Sequence, residues 1–243
     1  MTKERDTLYA QTLGDPGLFT FNESVVGVFP DMIKRSVPGY SSVIAMTGLL
    51  AARHARPGAN IYDLGCSLGA SLLSAARYSE THQCQLIGID NSAAMLENCR
   101  QLISREAPSV PIKLIEGDIA CLDYDSACVV IMNYTLQFIP VAQRLPLLKK
   151  IRAALAPGDV LVLSEKIELA APEMNALMID LHHDFKRAQG YSDLEVAQKR
   201  QALENVLIPE TREAHVQRLG EAGFSHSEFW FQCFNFASLI AIA

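Results

Sequence analysis

The segment from residue 61 to residue 69, Ile-Tyr-Asp-Leu-Gly-Cys-Ser-Leu-Gly, constrains the fold of this 243-residue chain more than any other. Its first four residues have the pattern of a short buried strand, and the small residues Gly65, Ser67 and Gly69 predict a tight turn after it. The Ala-rich stretch that follows has the pattern of a helix. A strand that leads through a small-residue loop into a helix lets a ligand lie against free backbone N–H groups at the helix N-terminus. The sequence therefore predicts an α/β unit with a ligand site at this loop.

A second strand indicates what kind of ligand this is. Residues 85–89 form an apolar run that ends in Asp90. An acidic side chain about 20 residues beyond the glycine loop, at the end of the next strand, can accept hydrogen bonds from both hydroxyls of a ribose. The pair of features therefore predicts a nucleoside site. The alternative is a close-packed strand-to-helix turn that binds no ligand.

Strands and helices alternate along most of the chain, which predicts a mostly parallel sheet covered on both faces. From 171 to 222 the pattern is helical only, with one apolar stripe, and 227–242 has the pattern of two terminal strands. We therefore expect one α/β domain, 1–243, with an N-terminal helical segment (1–57) and a helical insertion (170–206) that covers the substrate. The predicted helices are 23–36, 42–54, 70–79, 92–105 and 141–155, and the earlier strands are 61–64, 85–89, 112–116, 127–132 and 160–165.

Residues directly after the strands are the candidate ligand contacts, because ligands of open α/β sheets lie beyond the carboxyl ends of the strands. Asp118 can accept a hydrogen bond from the amino group of a base, and Ile119 can pack on its ring. For each candidate the alternative is a helix cap or a turn residue, since Asp and Asn favour those positions. The candidates are Gly65, Cys66, Ser67, Asp90, Asn91, Asp118, Ile119 and Asn133.

Charge and composition narrow the class of partner. The net charge is −6, so the chain lacks the basic surface typical of proteins that bind RNA or DNA directly. No apolar run approaches the roughly 20 residues needed to cross a membrane. The six cysteines include no C-x-x-C pair and the first residues lack the apolar core of a signal peptide, which favours reduced thiols in the cytoplasm. Adjacent residues on a helix cannot easily share one ion, so we expect no metal at His182-His183-Asp184.

The glycine loop resembles the first motif of the S-adenosylmethionine-dependent methyltransferases, Asp-x-Gly-x-(Gly/Ser)-x-Gly, with Asp63 at its acidic position. That resemblance implies the Rossmann-like class I methyltransferase fold, with seven strands in the order 3-2-1-4-5-7-6. It also implies S-adenosyl-L-methionine as the ligand, whose ammonium group a carboxylate near the loop can help to hold. Asn133 would then face the sulfonium and the amino-acid tail.

Longer stretches, from about residue 20 to the end of the chain, resemble one family, the carboxy-S-adenosyl-L-methionine synthases. These stretches are more specific than the glycine loop. They include RSVPGYS at 35–41, YDLGCSLGA at 62–70, LSEK at 163–166, HHDFKR at 182–187, QKR at 198–200 and FWFQCFN at 229–235.

The resemblance implies a reaction other than methylation. Family members convert S-adenosyl-L-methionine to carboxy-S-adenosyl-L-methionine, with prephenate as carboxyl donor and phenylpyruvate and water as further products. The product feeds a separate tRNA carboxymethyltransferase that modifies the wobble uridine. Arg200 and Tyr40 match the family's ligand contacts and are the candidate catalytic residues, with Arg200 holding the new carboxylate through two hydrogen bonds. Without the resemblance, the sequence would indicate that Arg200 lies on a solvent-exposed face of its helix.

Two alternatives to this function stay open. One is an ordinary methyltransferase that acts on a small acidic metabolite, and the other is a non-catalytic nucleoside-binding partner of a tRNA-modifying enzyme. The apolar insertion helices favour a homodimer. For the carboxylates of prephenate the sequence offers only the candidates Arg35, Lys166 and Arg187.

Overall fold

The computed structural model describes residues 5–13, 17, 19–79 and 83–243. Helices α1 (Glu23–Val26), α2 (Phe29–Ser36) and α3 (Tyr40–His54) precede the sheet. The chain reverses between α2 and α3 at Gly39, whose φ of 75° is left-handed. A Cβ atom at that position would overlap the ring of Phe231. Only glycine therefore fits this turn, which sets the start of α3.

The centre of the molecule is a sheet in the order β3-β2-β1-β4-β5-β8-β7, with the short strand β6 paired to β5. Neighbouring strands from β3 to β5 are parallel, whereas β8 runs antiparallel to both β5 and β7. The strands are β1 (Asn60–Leu64), β2 (Gln85–Asp90), β3 (Ile112–Glu116), β4 (Ala127–Asn133), β5 (Leu155–Glu168), β6 (Glu210–Thr211), β7 (His226–Cys233) and β8 (Phe236–Ile242).

Helices cover both faces of this sheet, so the inner strands are buried on both sides. The two faces of β1 enter different cores: Ile61 lies in the core that includes Leu72 of α4, and Leu64 lies in the core that includes Leu148 of α6. The remaining helices are α4 (Ala70–Ser79), α5 (Ala93–Glu106), α6 (Val141–Ala154), α7 (Pro172–Ala188), α8 (Asp193–Leu203) and α9 (Arg212–Ala222).

The insertion follows the carboxyl end of β5 and consists of α7 and α8. A reciprocal capping box between Ser192 and Glu195 fixes the start of α8. The side chain of Gln198 on α8 accepts a hydrogen bond from the N–H of Leu13 at 2.7 Å and donates to the carbonyl of Gln11 at 2.8 Å. The N-terminal segment is thus tied to the insertion above the strand ends.

The predicted class I fold and the predicted order of the seven long strands are confirmed. The prediction missed β6, because two residues are too short to form a pattern; the Glu210 carboxylate accepts from Arg144 and Arg218, which fix it beside β5. It also merged α1 and α2 into one helix. Pro30 stands in the first turn of α2, where proline begins a helix rather than continuing one.

Two elements start at least two residues earlier than predicted. Helix α3 begins at Tyr40 rather than at 42, and β5 begins at Leu155 because a bulge absorbs the expected turn. The first residues of the predicted N-terminal segment lie outside the described residues. Within the ranges described above, no helix is both long and apolar enough to cross a membrane.

Candidate functional site

A cavity of about 600 Å³ lies beyond the carboxyl ends of the parallel strands, where it is roofed by α2, α7 and α8. This volume is in the range of cofactor and ligand sites. All of the residues that the sequence analysis named as ligand contacts line it: Tyr40, Gly65, Cys66, Ser67, Asp90, Asn91, Asp118, Ile119, Asn133 and Arg200. The structure thus brings these residues together, and their individual roles stay predictions.

The glycine loop after β1 is pinned to the second strand. The N–H groups of Gly65 and Cys66 donate to the carbonyl of Ile89 at 2.8 and 3.0 Å. Gly65 has a φ of 77°, and a Cβ at this position would overlap the side chain of Thr135. Left-handed backbone and close approach together require glycine here. The glycine therefore fixes the path of the loop, which lines the cavity before α4 begins.

Asp90 combines the predicted ligand role with the alternative turn role. One carboxylate oxygen accepts the N–H of Ser67 at 2.8 Å and the other accepts the N–H of Ser92 at 2.9 Å. Each oxygen has a second lone pair, so both remain able to accept from a ribose hydroxyl. Burial raises the pKa of Asp90, and these backbone N–H groups oppose the shift. The carboxylate is therefore held in a fixed position at the mouth of the loop.

Asp63, the acidic residue of the loop motif, is almost fully buried, and its Oδ2 atom has no hydrogen-bond partner within the described part of the chain. Burial, with a contribution from Asp90, raises its pKa to about 8. An unsatisfied carboxylate oxygen that lines a cavity is suited to a cationic ligand group. The ammonium of an amino acid would supply both the charge and the missing hydrogen bond.

Asn133 and Tyr40 lie where β4 meets α3. The amide nitrogen of Asn133 donates to Ser71 at 3.0 Å, and its amide oxygen accepts from Ser164 at 2.7 Å. The side chain is thus held rigidly. Tyr40 stands 6.2 Å from Tyr134, centroid to centroid, and burial, with a smaller contribution from the neighbouring Asp63 when it is ionised, raises its pKa. Tyr40 therefore stays a neutral hydrogen-bond donor at ordinary pH.

At the end of the cavity near β3, apolar side chains lie beside the carboxylates of Asp90 and Asp118. Ile119 is buried, while Asp118 accepts the N–H of Ala120 at 2.8 Å and keeps one carboxylate oxygen for a ligand. Phe21 contacts Phe138 edge-to-face at 5.5 Å between ring centroids, and both line this end. The sequence analysis missed these two rings. The aromatic density of residues 19–29 was a signal for Phe21 but not for Phe138.

The opposite end, next to β5 and the insertion, is basic. Lys166 of β5, Lys186 of α7, and Lys199 and Arg200 of α8 all line it. Lys199 donates to the hydroxyl of Ser36 at 3.0 Å, and burial lowers its pKa to about 8. Two acidic residues, Glu168 and Glu204, also reach this end. The cavity is thus divided into an acidic end and a predominantly basic one.

Comparisons with known proteins identify the family. A protein named carboxy-S-adenosyl-L-methionine synthase from Geobacter sp. (strain M21) is 54% identical over 242 residues, which is 99% of each chain. One of the same name from Trichlorobacter lovleyi is 55% identical over 243 residues, which is 100% of each chain. The chain belongs to the carboxy-S-adenosyl-L-methionine synthase family. It is therefore an enzyme of the transferase class that handles S-adenosyl-L-methionine, as the sequence analysis predicted.

More distant likenesses agree on the fold. The family model described as "Methyltransferase domain" matches residues 61–158 of this synthase, from β1 to the start of β5. An O-methyltransferase family protein from Burkholderia thailandensis superposes with a TM-score of 0.65 at 15% identity, covering 94% of this chain and 65% of that one. At such an identity the likeness supports the fold alone.

The three candidates for the carboxylates of the donor fall in different places in the synthase. Lys166 lines the cavity. Arg35 does not, because its guanidinium donates to Asp31 at 3.0 Å and to the carbonyl of Gln189 at 2.8 Å. Arg187 lies on the outer side of α7, where it pairs with Asp184 at 2.8 Å. Arg35 and Arg187 are thus engaged elsewhere.

Arg200 of the synthase is exposed at the margin of the cavity and has no ion-pair partner in the part of the chain that is described. His182 also lines the cavity; it contacts the carbonyl of Ser36 at 2.8 Å, and burial lowers its pKa to about 3.

Across the described ranges, no three His, Cys, Asp or Glu side chains are grouped closely enough to hold a metal.

Proposed function

We propose that this synthase converts S-adenosyl-L-methionine to carboxy-S-adenosyl-L-methionine with prephenate as the carboxyl donor. One observation carries the proposal: a single cavity joins an acidic end, suited to a cationic nucleoside, to a basic end, suited to an anionic partner. A methyltransferase for a neutral substrate would need only the first end. The dianion of prephenate fits the second.

The placement of the nucleoside follows from the acidic end. Asp90 accepts from the ribose hydroxyls, Asp118 and Ile119 take the adenine, and Asp63 takes the ammonium of the amino-acid tail. In this proposal the adenine, the ribose and the amino-acid tail follow the order of the strands, from β3 through β2 to β1. It leaves the sulfur and its methyl group near Tyr40, facing Arg200 and the basic end.

The reaction balances without a protein base. The bond between the ring of prephenate and its ring carboxylate breaks, and its electrons aromatise the ring as hydroxide leaves. Hydroxide takes a proton from the S-methyl group and becomes water. The carbanion of the resulting sulfonium ylide attacks the released CO₂ and forms the new carboxylate. A monocation and a dianion thus yield a neutral zwitterion, the phenylpyruvate monoanion and water.

The protein contributes position, exclusion of bulk water and charge complementarity. The apolar walls and the roof of α2, α7 and α8 keep hydroxide and CO₂ beside the ylide. Arg200 can hold the new carboxylate with two parallel hydrogen bonds. Tyr40 stays protonated because its pKa is raised, so it can donate a third hydrogen bond.

The test is a labelled turnover experiment. The purified enzyme is incubated with S-adenosyl-L-methionine and prephenate that carries ¹³C in its ring carboxylate, and the nucleoside product is analysed by mass spectrometry. We expect a nucleoside heavier by one labelled CO₂ and one equivalent of phenylpyruvate. Unchanged S-adenosyl-L-methionine would refute the proposal. Methyl transfer to an added acidic metabolite would then support the ordinary methyltransferase, and ligand binding without any turnover the non-catalytic partner.

We further propose that the product supplies a separate tRNA carboxymethyltransferase in the cytoplasm, and that the enzyme itself binds no tRNA or membrane. Its net charge of −6 supports the absence of direct tRNA binding.

We also propose a homodimer, since Met174 and Leu177 of α7 are 45% and 48% exposed. Sedimentation of the purified protein, with and without a Leu177→Glu substitution, tests the dimer; a monomer in both cases would refute it.

A further inference from the structure

Two lysines of the basic end form no ion pair with any described residue. The ammonium of Lys186 is on α7, one turn after His182, and the side chain is only 6% exposed. Lys166 stands near the end of β5, and its N–H donates to the side chain of Gln137 at 2.9 Å. Neither ammonium group has a hydrogen bond or an ion pair with any residue in the described ranges.

Their neighbour Lys199 shows the contrast. It is as buried as Lys186, but it donates to Ser36 at 3.0 Å and lies 3.6 Å from the carboxylate of Asp6. Burying an ammonium without such partners costs free energy. Such unpaired charges are typical of functional sites, where a bound ligand of opposite charge compensates them. The charge of Glu168 favours the protonated form of Lys166, but the side chain of Glu168 is exposed to solvent, which weakens this effect.

We propose that Lys166 and Lys186 form the subsite for one carboxylate of the donor, and that this carboxylate is the one that phenylpyruvate retains. The inference rests on the proposed function and adds the residues that recognise the carboxylate the donor keeps. Its geometric basis is that two unpaired ammonium groups, from a strand end and from a roof helix, line the same end of one cavity.

The chemistry decides which carboxylate they hold. The ring carboxylate loses its charge as CO₂ departs, so a cation bound to it would stabilise the ground state more than the transition state. A cation on the retained carboxylate has no such effect, because that charge is unchanged throughout. The lysines therefore anchor the donor, and Arg200 is left for the carboxylate formed on the sulfur substituent.

The lowered pKa values of the two lysines agree with this arrangement. Burial, then Lys199 and Lys166, lower the pKa of Lys186 to about 7, and only Asp6 opposes them. Burial and Arg200 lower the pKa of Lys166, which Glu168 opposes. A bound carboxylate favours the charged lysines, so donor affinity should be highest below pH 7 and should fall as the pH rises through this value.

The test replaces each lysine by methionine, which keeps the length of the side chain and removes its charge. For Lys166→Met and Lys186→Met we expect the KM for prephenate to rise about 10- to 100-fold, the effect of losing one charge-assisted contact. The dissociation constant of S-adenosylhomocysteine should change less than twofold. Lys149→Met on the exposed side of α6 makes the same change of charge away from the cavity and should leave both unchanged.

Two further measurements address which carboxylate is bound and whether the charge matters. Inhibition by phenylpyruvate should weaken in Lys186→Met by the same factor as the KM rises. Unchanged inhibition would show that the lysines do not hold the retained carboxylate and would overturn the assignment. Lys186→Arg, which stays charged at every accessible pH, should keep donor affinity above pH 8, where the wild type loses it.

Failure of this inference can be distinguished from failure of the proposed function. Prephenate is titrated by calorimetry into the complex with S-adenosylhomocysteine, which has no methyl group to react. Binding that depends on both lysines, even without turnover in the labelled assay, would retain the subsite and refute the function. Turnover with an unchanged KM in both variants would retain the function and refute the subsite.

The melting temperature of Lys186→Met should not fall, since an unpaired charge is removed. A large drop would indicate a purely structural lysine.

Discussion

Binding of S-adenosyl ligands should release a proton, because Asp63 is protonated in the free enzyme. With a pKa of about 8, only about one molecule in eleven carries the ionised carboxylate at pH 7. The ammonium of the ligand selects that form. The apparent affinity should therefore follow the ionised fraction and rise about 30-fold from pH 5.5 to pH 7, a range in which the ligand ammonium stays charged.

Isothermal titration calorimetry measures both effects. Titrating S-adenosylhomocysteine at pH 7 in buffers of different ionisation enthalpy should give a release of about 0.9 proton per ligand bound. In Asp63→Asn the release should vanish, together with most of the pH dependence of the affinity. A wild-type affinity that is flat between pH 5.5 and pH 7, with no proton released, would refute the placement of the ammonium on this carboxylate.

Three further predictions concern individual residues. Asp90→Ala should weaken binding of S-adenosylhomocysteine by about 2–3 kcal/mol in a folded protein, since charge-assisted hydrogen bonds are lost; calorimetry that shows unchanged affinity would exclude Asp90 as the ribose acceptor. Arg200→Ala should weaken binding of the carboxylated nucleoside by roughly 2–5 kcal/mol and barely alter that of S-adenosylhomocysteine, with Arg200→Lys recovering only part of the loss; equal weakening of both ligands would assign Arg200 to support of the roof. The pKa of Glu165 is raised to about 8 by burial, so the protonated form is favoured in the fold and stability is lost as the pH rises from the usual carboxyl value through 8. Glu165→Gln should therefore stabilise the protein at pH 9 relative to pH 5 by about 1.4 kcal/mol for each pH unit of the shift that it removes; urea unfolding that gives the same difference from wild type at both pH values would contradict this.

The sequence was sufficient to place the ligand-facing residues for a simple topological reason. Parallel strands deliver their carboxyl ends to one edge of the sheet, so Asp90, Asp118 and Asn133 had to converge once their strands were recognised. The hydrogen bonds that fix Asn133 could not be predicted in this way. They come from Ser71 and Ser164, which are far away in the sequence and become neighbours only in the folded sheet.

The insertion shows the limit of reasoning from polarity. The apolar stripe predicted on α7 includes Met174 and Leu177, and both side chains are exposed in the structure. The face that lines the cavity instead carries Ile179, His182 and Lys186. Periodicity identifies an apolar face, but it does not reveal that a helix presents its basic side to an enclosed cavity.

The contact between Gly39 and Phe231 has a consequence for how variation among natural sequences is read. The turn that sets Tyr40 at the cavity rests against a side chain of the edge strand β7, which itself contributes no residue to the cavity lining. We expect a change of size at residue 231 to shift the turn and, with it, the tyrosine. A natural substitution at residue 231 would then weaken ligand binding in a folded protein, although the substituted residue does not contact the ligand.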